Sequence, residues 1–272
     1  MKNKTVLITG STDGIGLETA TQLARMGAPI VGVARNEEKA RLSELAIREA
    51  TGNREVRFFP CDLSVMHQVV NLATRLQAEY EKIDVLINNA GVAVTRREVT
   101  ADGFELTFAV NYLSHVLLTR LLLPRISQSA PARIIHVSSG VHGSGKIDFS
   151  DLHMKNRFDG WKAYCTSKLA NLLFSNELSR RLKGTGVTSN VLNPGVIETK
   201  LLRVNFSGGS PVSEGARTPV YLASSEEVEG LSGLYYSNNR PEKPARKARD
   251  SDLAAKLWTE TEQVLSPWLS VE

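Results

Sequence analysis

Tyr164 and Lys168 are the residues of this chain whose types and spacing best suit proton chemistry. The surrounding stretch, 160–183, is rich in Ala and Leu, which predicts a helix with an apolar face. A spacing of four places both side chains on one side of that helix, one turn apart. A neighbouring ammonium favours the phenolate, so Tyr164, with an ordinary pKa of about 10, could serve as a general acid or base. The same spacing also arises by chance on many helices.

A glycine-rich turn follows the first apolar run of the chain. Residues 5–9 are short, apolar and β-branched, which predicts a buried strand, and a helix is expected over 15–26. Gly10, Gly14 and Gly16 lie at this junction, where residues without side chains let a pyrophosphate approach backbone N–H groups. The spacing differs from the usual dinucleotide fingerprint, so a glycine turn without a ligand is the alternative.

The elements that must position these residues alternate along the chain. Further strands are predicted at 29–34, 55–60, 83–87, 133–137, 187–192 and 234–236, with helices over 37–50, 64–80, 103–123 and 160–183. This order predicts one doubly wound α/β domain over residues 1–272, with a mostly parallel sheet of about seven strands flanked by helices. We expect a flap segment (residues 196–213) over a site, a helix that Ser213 caps and that runs to Ser224, and a connector and helix over 238–272.

The end of the second strand bears on the choice of cofactor. In dinucleotide folds an acidic residue there bonds the ribose of NAD, whereas a basic residue accommodates the phosphate of NADP. Arg35 and Asn36 stand at this position, which favours NADP. The alternative is a solvated arginine, and Asp13 in the glycine turn would oppose a phosphate.

Other polar residues also stand at strand ends or among apolar neighbours. Asp62 could accept a hydrogen bond from an adenine amino group or cap the helix that begins near Ser64. The turn 88–91 suits a close approach to a ligand or is a plain turn, and Asn111, on an apolar helix, must find partners. A serine of the pair 138–139 could donate to a substrate oxygen or be a turn residue.

The composition sets aside several classes of protein. The net charge of +4 comes from 33 basic and 29 acidic residues spread along the chain, which does not indicate nucleic-acid binding. Cys61 and Cys165 give no disulfide framework or metal spacing, so we expect no metal site and a reducing, cytoplasmic location. We expect no export signal and no membrane span. The basic residues of 240–249 form a solvated connector or touch an anionic surface.

Taken together, the motifs resemble the short-chain dehydrogenase/reductase family in identity and order. The resemblance runs from Thr5 to about Tyr236 and rests on residues 9–16, Asp62, 88–91, Asn111, 138–139, 164–168 and 194–195. The stretches 164–171 and 177–186 are similar to the retinol-dehydrogenase-like branch, whose preference for NADP agrees with Arg35. Members of that branch often carry an amino-terminal membrane anchor, which we do not expect here.

The resemblance implies a Rossmann-type NAD(P)-binding fold and a role for each site residue. Tyr164 would exchange the proton, Lys168 would lower its pKa and hold the nicotinamide ribose, Ser139 would orient the substrate oxygen, and Asn111 would hold a water. A homo-oligomer is expected by resemblance only. The cofactor, NADP(H) in preference to NAD(H), would contact Gly10, Ser11, Thr12, Asp13, Gly14, Ile15, Gly16, Arg35, Asn36, Asp62, Leu63, Asn89, Ala90, Gly91, Tyr164, Lys168, Pro194, Gly195, Val196 and Thr199.

The reaction implied is hydride transfer between the nicotinamide and a small-molecule carbonyl or alcohol. Two segments expected to border the pocket carry apolar residues, namely Ile147, Phe149, Leu152, Phe158, Trp161, Leu201, Leu202 and Phe206. They favour an apolar aldehyde, ketone or alcohol, unless they only pack the flap segment. A polar tail could meet His142, His153, Lys200 and Arg203. The alternative function is a non-catalytic NADP(H) sensor or interaction module.

Overall fold

An eight-stranded sheet forms the centre of the protein in the computed structural model, which describes residues 1–204 and 207–270. The sheet order is β3-β2-β1-β4-β5-β6-β7-β8, and all neighbours are parallel except β7 and β8. The order reverses between β1 and β4, which makes the carboxyl ends of these two strands the expected ligand crevice. The strands are β1 (Val6–Thr9), β2 (Ile30–Ala34), β3 (Val56–Pro60), β4 (Val85–Asn88), β5 (Ala132–Val137), β6 (Val187–Asn193), β7 (Tyr235–Ser237) and β8 (Arg240–Glu242).

Helices cover both faces of the sheet, because its strands carry apolar side chains on both faces. Leu7 of β1 belongs to one apolar cluster, whereas Val6 and Ile8 belong to a second cluster on the opposite face. This layering confirms the predicted doubly wound α/β domain. The helices are α1 (Gly14–Arg25), α2 (Glu37–Thr51), α3 (Met66–Glu79), α4 (Leu106–Phe108), α5 (Ser114–Gln128), α6 (Gly160–Arg181), α7 (Val212–Ser224) and α8 (Ser251–Leu269), with 3₁₀ turns at Gly140–Ser144, Leu202–Val204, Glu226–Val228 and Arg246–Arg249.

The eighth strand lies where the sequence predicts only a connector. β8 pairs antiparallel with β7 at the edge of the sheet, with Pro241 opposite Tyr236. Proline within a short, polar, exposed segment gives no strand signal, but an edge strand tolerates its missing N–H. The segment therefore forms a strand only because β7 is there to pair with it.

Two helix starts differ from the sequence interpretation. The Met66 N–H at the start of α3 donates to the carboxylate of Asp102, 2.8 Å away. Asp62 instead accepts from the backbone N–H and hydroxyl of Ser64, so it orders the turn before the helix and does not cap it. The start of α7 follows Pro211, which leaves Ser213 inside the helix and makes its predicted capping role wrong.

The long apolar helix that carries Asn111 is interrupted near its start. A single π-helical turn, Ala109–Leu113, joins α4 to α5 and contains Asn111. Such turns often occur at functional sites because they redirect side chains and backbone carbonyls. The stretch Leu106–Gln128 is long and apolar enough to cross a membrane, but 78% of its most apolar window is buried inside the protein.

Candidate active site

A cavity of about 380 Å³ opens at the carboxyl ends of β1 and β4, at the switch point of the sheet. The predicted residues that line it are Gly10, Thr12, Asp13, Gly14, Ile15, Gly16, Arg35, Asp62, Leu63, Asn89, Ala90, Gly91, Tyr164, Lys168, Pro194 and Thr199. Ser11, Asn36, Asn111, Ser139, Gly195 and Val196 do not line it. Ser138, which the sequence analysis did not choose as the site serine, also lines it, together with Lys200 and Leu201. The residues that site prediction missed altogether are Val33, Ala34, Cys61, Val92, Val110 and Val137, most of which directly adjoin predicted positions.

The glycine turn is packed too closely for side chains. Gly10 has a φ of +66°, and a Cβ there would lie 2.8 Å from Ala90 Cα. A Cβ on Gly16 would overlap the Gly10 carbonyl oxygen and the amide nitrogen of Asn89. That amide donates to the carbonyls of Thr9 (2.8 Å) and Gly10 (3.1 Å), which fixes the turn against the end of β4.

The start of α1 offers backbone donors to the cavity. The first hydrogen bond of the helix runs from Leu17 N–H to the Asp13 carbonyl, so the N–H groups of Ile15 and Gly16 precede it. Both residues line the cavity. Free N–H groups and the helix dipole suit an anion such as a pyrophosphate. Ser11 is fully buried and donates to the Ile8 carbonyl, so it supports this turn from behind.

The glycine-turn end of the cavity is also bordered by Arg35, Asp62 and Leu63 at the ends of β2 and β3. Arg35 is exposed and follows β2 directly, as the sequence indicates. Asn36 does not reach the cavity, because its side chain caps α2 by accepting from Lys39 N–H at 2.8 Å.

Tyr164 and Lys168 lie on the same side of α6 and both line the cavity. Lys168 is 2% exposed, and its Nζ donates to the Val137 carbonyl at 3.0 Å and lies 5.5 Å from the centre of the Tyr164 ring. Burial lowers the pKa of Lys168 to about 8 and raises the pKa of Tyr164 to about 12. The pKa of Tyr164 thus lies above its ordinary value and not below it, because burial of the phenol is the largest influence on it.

The two serines after β5 have different partners. Ser138 is buried and donates its hydroxyl proton to the Lys168 carbonyl at 2.9 Å. Ser139 begins the following 3₁₀ turn, and its side chain forms a hydrogen bond with Tyr164 that lowers the tyrosine pKa, against the larger effect of burial. Ser139 therefore lies beside the phenol, whereas Ser138 lines the cavity, and the choice of the second serine stays a prediction.

Asn111 connects two parts of the site. Its Oδ1 accepts from Val92 N–H at 2.7 Å, and its Nδ2 donates to the Val92 carbonyl and to Ser167 Oγ, both at 3.0 Å. Both amide donors are thus engaged, which leaves only acceptor capacity on Oδ1 for the predicted water. Asn111 and Lys168 both approach Gly91, where a Cβ would lie 3.6 Å from Oδ1 and from Nζ.

A layer of buried polar side chains that the sequence did not single out lies behind this site. Asn88 pairs in register with His136 between β4 and β5, and His115 follows Asn111 by one helical turn. Burial lowers the pKa of His115 and brings that of His136 to about 3, so both imidazoles are neutral. Among the described residues, Asn88 Oδ1, His136 Nε2 and both amide atoms of Asn171 lack hydrogen-bond partners, which is typical of a layer that holds internal water.

Several residues predicted to meet the substrate lie elsewhere. His142 is buried, with Nδ1 2.8 Å from the Ser139 carbonyl and Nε2 accepting from Ala245 N–H, and His153 stacks on Phe104. Neither faces the cavity, and Ile147, Phe149 and Leu152 pack against the core. Phe206 lies outside the described residues.

The flap segment supplies the remaining part of the cavity wall. A bridge between Ile197 and Ser210 closes its base, and Thr199, Lys200 and Leu201 line the cavity. Arg203 pairs with Glu198 at 2.9 Å instead of facing the site. The ring of Trp161 stacks on Tyr164 with 6.3 Å between centroids, so it lies beside the Tyr164 end of the cavity.

Comparison with known proteins agrees with this geometry. The family model of short chain dehydrogenases matches residues 4–208. Retinol dehydrogenase 13 of Homo sapiens is 41% identical over 96% of this chain and 84% of its own. A solved structure of an uncharacterized protein from Mycobacterium paratuberculosis has a TM-score of 0.82 and 33% identity, over 97% of this chain and 94% of that one. A short chain dehydrogenase from Escherichia coli, solved with NADPH, has a TM-score of 0.73 and 25% identity, over 88% of this chain and 98% of that one. The chain therefore belongs to the short-chain dehydrogenase/reductase family, as an NAD(P)-dependent oxidoreductase of alcohol and carbonyl groups that resembles the retinol-dehydrogenase-like branch.

Proposed function

We propose that this protein is an NADP(H)-dependent oxidoreductase that interconverts an apolar aldehyde or ketone and the corresponding alcohol, with Tyr164 as the general acid and base. One observation carries the proposal: a single cavity is lined by Arg35, Asp62 and the glycine turn toward one end and by Tyr164 and Lys168 toward the other. A dinucleotide is an extended molecule, and this arrangement would place its adenosine beside Arg35 and Asp62, its pyrophosphate at the glycine turn and its nicotinamide beside Tyr164 and Lys168.

The glycine turn fits a dinucleotide. Its pyrophosphate would receive hydrogen bonds from the N–H groups of Ile15 and Gly16, in a turn whose close packing requires that Gly10 and Gly16 carry no Cβ. Asn89 holds this turn in place. When bound, the nicotinamide supplies the hydride chemistry, and the protein supplies position and charge.

Tyr164 is well prepared to donate a proton. With a pKa of about 12 it is protonated at neutral pH, so in the reductive direction it can protonate a developing alkoxide. The Ser139 hydroxyl, bonded to the phenol, favours the phenolate left behind. The ammonium of Lys168, 5.5 Å from the ring centre, acts in the same direction.

The preference for NADP(H) rests on Arg35 at the open end of the cavity. A guanidinium matches the geometry of a phosphate, and the 2′-phosphate is what distinguishes NADP from NAD. The Escherichia coli relative solved with NADPH supports the same preference.

An apolar substrate is supported by the cavity wall and by the relatives. Val92, Val110 and Leu201 line the cavity. The relatives named retinol dehydrogenases are named for an apolar alcohol. The flap segment, which contributes Leu201, would close over such a substrate.

The test is Tyr164→Phe, measured against a panel of aldehydes, ketones and alcohols with NADPH and NADH in parallel. We expect kcat to fall on the order of 10²–10⁴-fold while NADPH binding persists, because only the proton donor is lost. The matched control is Tyr221→Phe, since Tyr221 bonds Glu227 on the surface away from the cavity.

Near-normal turnover in Tyr164→Phe would remove the assignment of the catalytic residue. A higher kcat/KM with NADH throughout the panel would show that Arg35 was misinterpreted. NADPH binding without turnover of any substrate by the unaltered protein would favour the sensor instead.

A further inference from the structure

Asp13 stands at the mouth of the cavity, where a carboxylate is unfavourable for a phosphate ligand. Its Oδ1 accepts from Gly14 N–H at 2.8 Å and caps α1, and the residue lines the cavity. Its other oxygen, Oδ2, forms an ion pair with Lys200 Nζ. The pair joins the glycine turn to the flap segment across 187 residues of sequence.

Backbone hydrogen bonds hold the base of the flap segment, and this restricts the position of Lys200. Glu198 N–H donates to the Ser210 carbonyl, and Ser210 N–H donates to the Val196 carbonyl, both at 2.9 Å. Ile197 is 5% exposed and packs beside Gly215 of α7. Beyond this base, the methyl group of Thr199 would lie 3.2 Å from a Cβ on Gly14. The flap segment thus touches the glycine turn at two successive residues.

The charges around Asp13 are mostly positive. Hydrogen bonding from Lys200 lowers the pKa of Asp13 against the effect of burial, and the charge of Lys39 adds to this lowering. Arg35 lines the same cavity. The side chains of Asp13 and Lys200 are 59% and 77% exposed, so their pairing contributes little to folding stability. The pairing mainly changes the local charge near a bound anion.

We propose that Lys200 is a specificity-determining residue for the cofactor: by pairing with Asp13, it neutralises a carboxylate that would otherwise repel the 2′-phosphate of NADP(H). This inference rests on the proposed function, in which Arg35 receives that phosphate. Lys200 thereby allows Asp13 to cap α1 in a cavity that binds a ribose with a 2′-phosphate. It also makes the position of the flap segment part of cofactor recognition.

The experiment measures binding of adenosine 2′,5′-bisphosphate and of ADP by calorimetry, which requires neither nicotinamide nor turnover. The proteins are the full chain and its Lys200→Ala, Asp13→Asn and Asp13→Asn/Lys200→Ala variants. Asparagine is a good helix cap, so Asp13→Asn removes the charge and retains the cap. Arg203→Ala is the matched control, because Arg203 belongs to the same segment but pairs with Glu198.

We expect Lys200→Ala to weaken binding of the bisphosphate by about 3- to 10-fold at low salt, and that of ADP by less than about 2-fold. The double variant should bind the bisphosphate nearly as well as the unaltered chain, because no free carboxylate remains. Asp13→Asn alone should bind it at least as tightly. Arg203→Ala should leave both ligands unaffected.

Equal weakening of both ligands by Lys200→Ala, or no weakening of either, would overturn the inference. So would a double variant as weak as Lys200→Ala, since Lys200 would then act on the phosphate directly. Failure of the proposed function gives a different result: the unaltered chain would bind ADP as tightly as the bisphosphate.

Discussion

The two ends of the cavity hold their charged groups in opposite ways. At the end that holds Tyr164, Lys168 is 2% exposed, and burial sets both its pKa, about 8, and that of Tyr164, about 12. At the glycine-turn end Asp13 and Lys200 are 59% and 77% exposed, and their mutual hydrogen bond is the main influence on the pKa of Asp13. Desolvation therefore controls one end and charge pairing the other. Changes at the buried end should be large and insensitive to salt, whereas changes at the open end should be small and screened.

The largest effect expected in the comparison is that of Lys168→Met on turnover. Methionine has a similar volume but removes the ammonium that lies beside the Tyr164 ring and donates to the Val137 carbonyl. We expect kcat to fall on the order of 10²–10³-fold, a loss typical of removing an electrostatic contact to a developing charge. The ratio of kcat in the variant to kcat in the unaltered protein, measured by steady-state kinetics, should be the same at 0.05 and 0.5 M salt.

Lys162→Met is the control for this measurement. Lys162 lies on the same helix, its side chain is 69% exposed, and it pairs with Asp159 at 3.5 Å. Its loss should leave kcat within about 2-fold, as is usual for an exposed ion pair. A comparable fall in both variants would mean that the helix, and not the buried charge, is responsible.

Lys168→Met should also raise the free energy of unfolding at neutral pH. The folded pKa of Lys168 is about 8 against 10.5 for a free lysine, so below pH 8 burial of its charge costs roughly 3 kcal/mol. Between pH 8 and 10.5 the unfolded chain keeps a proton that the folded chain has released, and stability of the unaltered protein rises with pH. Lys168→Met should therefore be the more stable protein at pH 7, less the hydrogen bond to Val137, and lose that advantage toward pH 10.

Urea denaturation of both proteins from pH 7 to pH 10 measures this difference. Tyr164 and Cys61, whose pKa values burial raises to about 12, are common to both chains, so their effects cancel. A stability difference that stays constant over the whole range would show that Lys168 does not titrate as a buried base.

The sequence was sufficient for the pattern of the site but not for its electrostatics. The spacing of Tyr164 and Lys168 predicted a shared helix face, and the positions of the glycines predicted the tight turn between β1 and α1, because both depend on local geometry. The raised pKa of Tyr164 was not predictable, because it depends on how much of the folded protein covers the phenol. The local sequence pattern determines which residues share a helix face or a turn, whereas the pKa values depend on burial in the folded protein.

Contacts between distant segments were missed for the same reason. Lys200 meets Asp13 and Asp102 meets Met66 only because the strands bring their loops to one edge of the sheet. His142 was expected at the pocket because it lies in the segment 141–161, but its imidazole turns toward Ala245. Sequence proximity to a site residue did not determine the direction of that side chain.

A smaller and more local effect should separate the two serines at the buried end. Ser139→Ala removes the hydroxyl bonded to Tyr164, and we expect kcat/KM to fall about 10- to 100-fold, the range for a hydrogen bond to a charged group. Ser138→Ala removes the bond to the Lys168 carbonyl and should cost about 1 kcal/mol of stability with a smaller kinetic effect. Kinetics and thermal unfolding of both variants test this. A greater loss of activity in Ser138→Ala would reverse the assignment of the two roles.

We expect the smallest effect at Arg35. Its dependence on salt concentration distinguishes the exposed end of the cavity from the buried end. Arg35→Ser should lower kcat/KM with NADPH by about 5- to 10-fold and leave that with NADH nearly unchanged, because an exposed cation interacts with a phosphate through solvent. Raising the salt from 0.05 to 0.5 M should reduce the NADPH preference of the unaltered protein toward that of the variant. The kcat ratio for Lys168→Met should stay constant over the same range. If salt changed both ratios equally, the cavity would have one electrostatic environment, and the distinction between a buried end and an open end would be wrong.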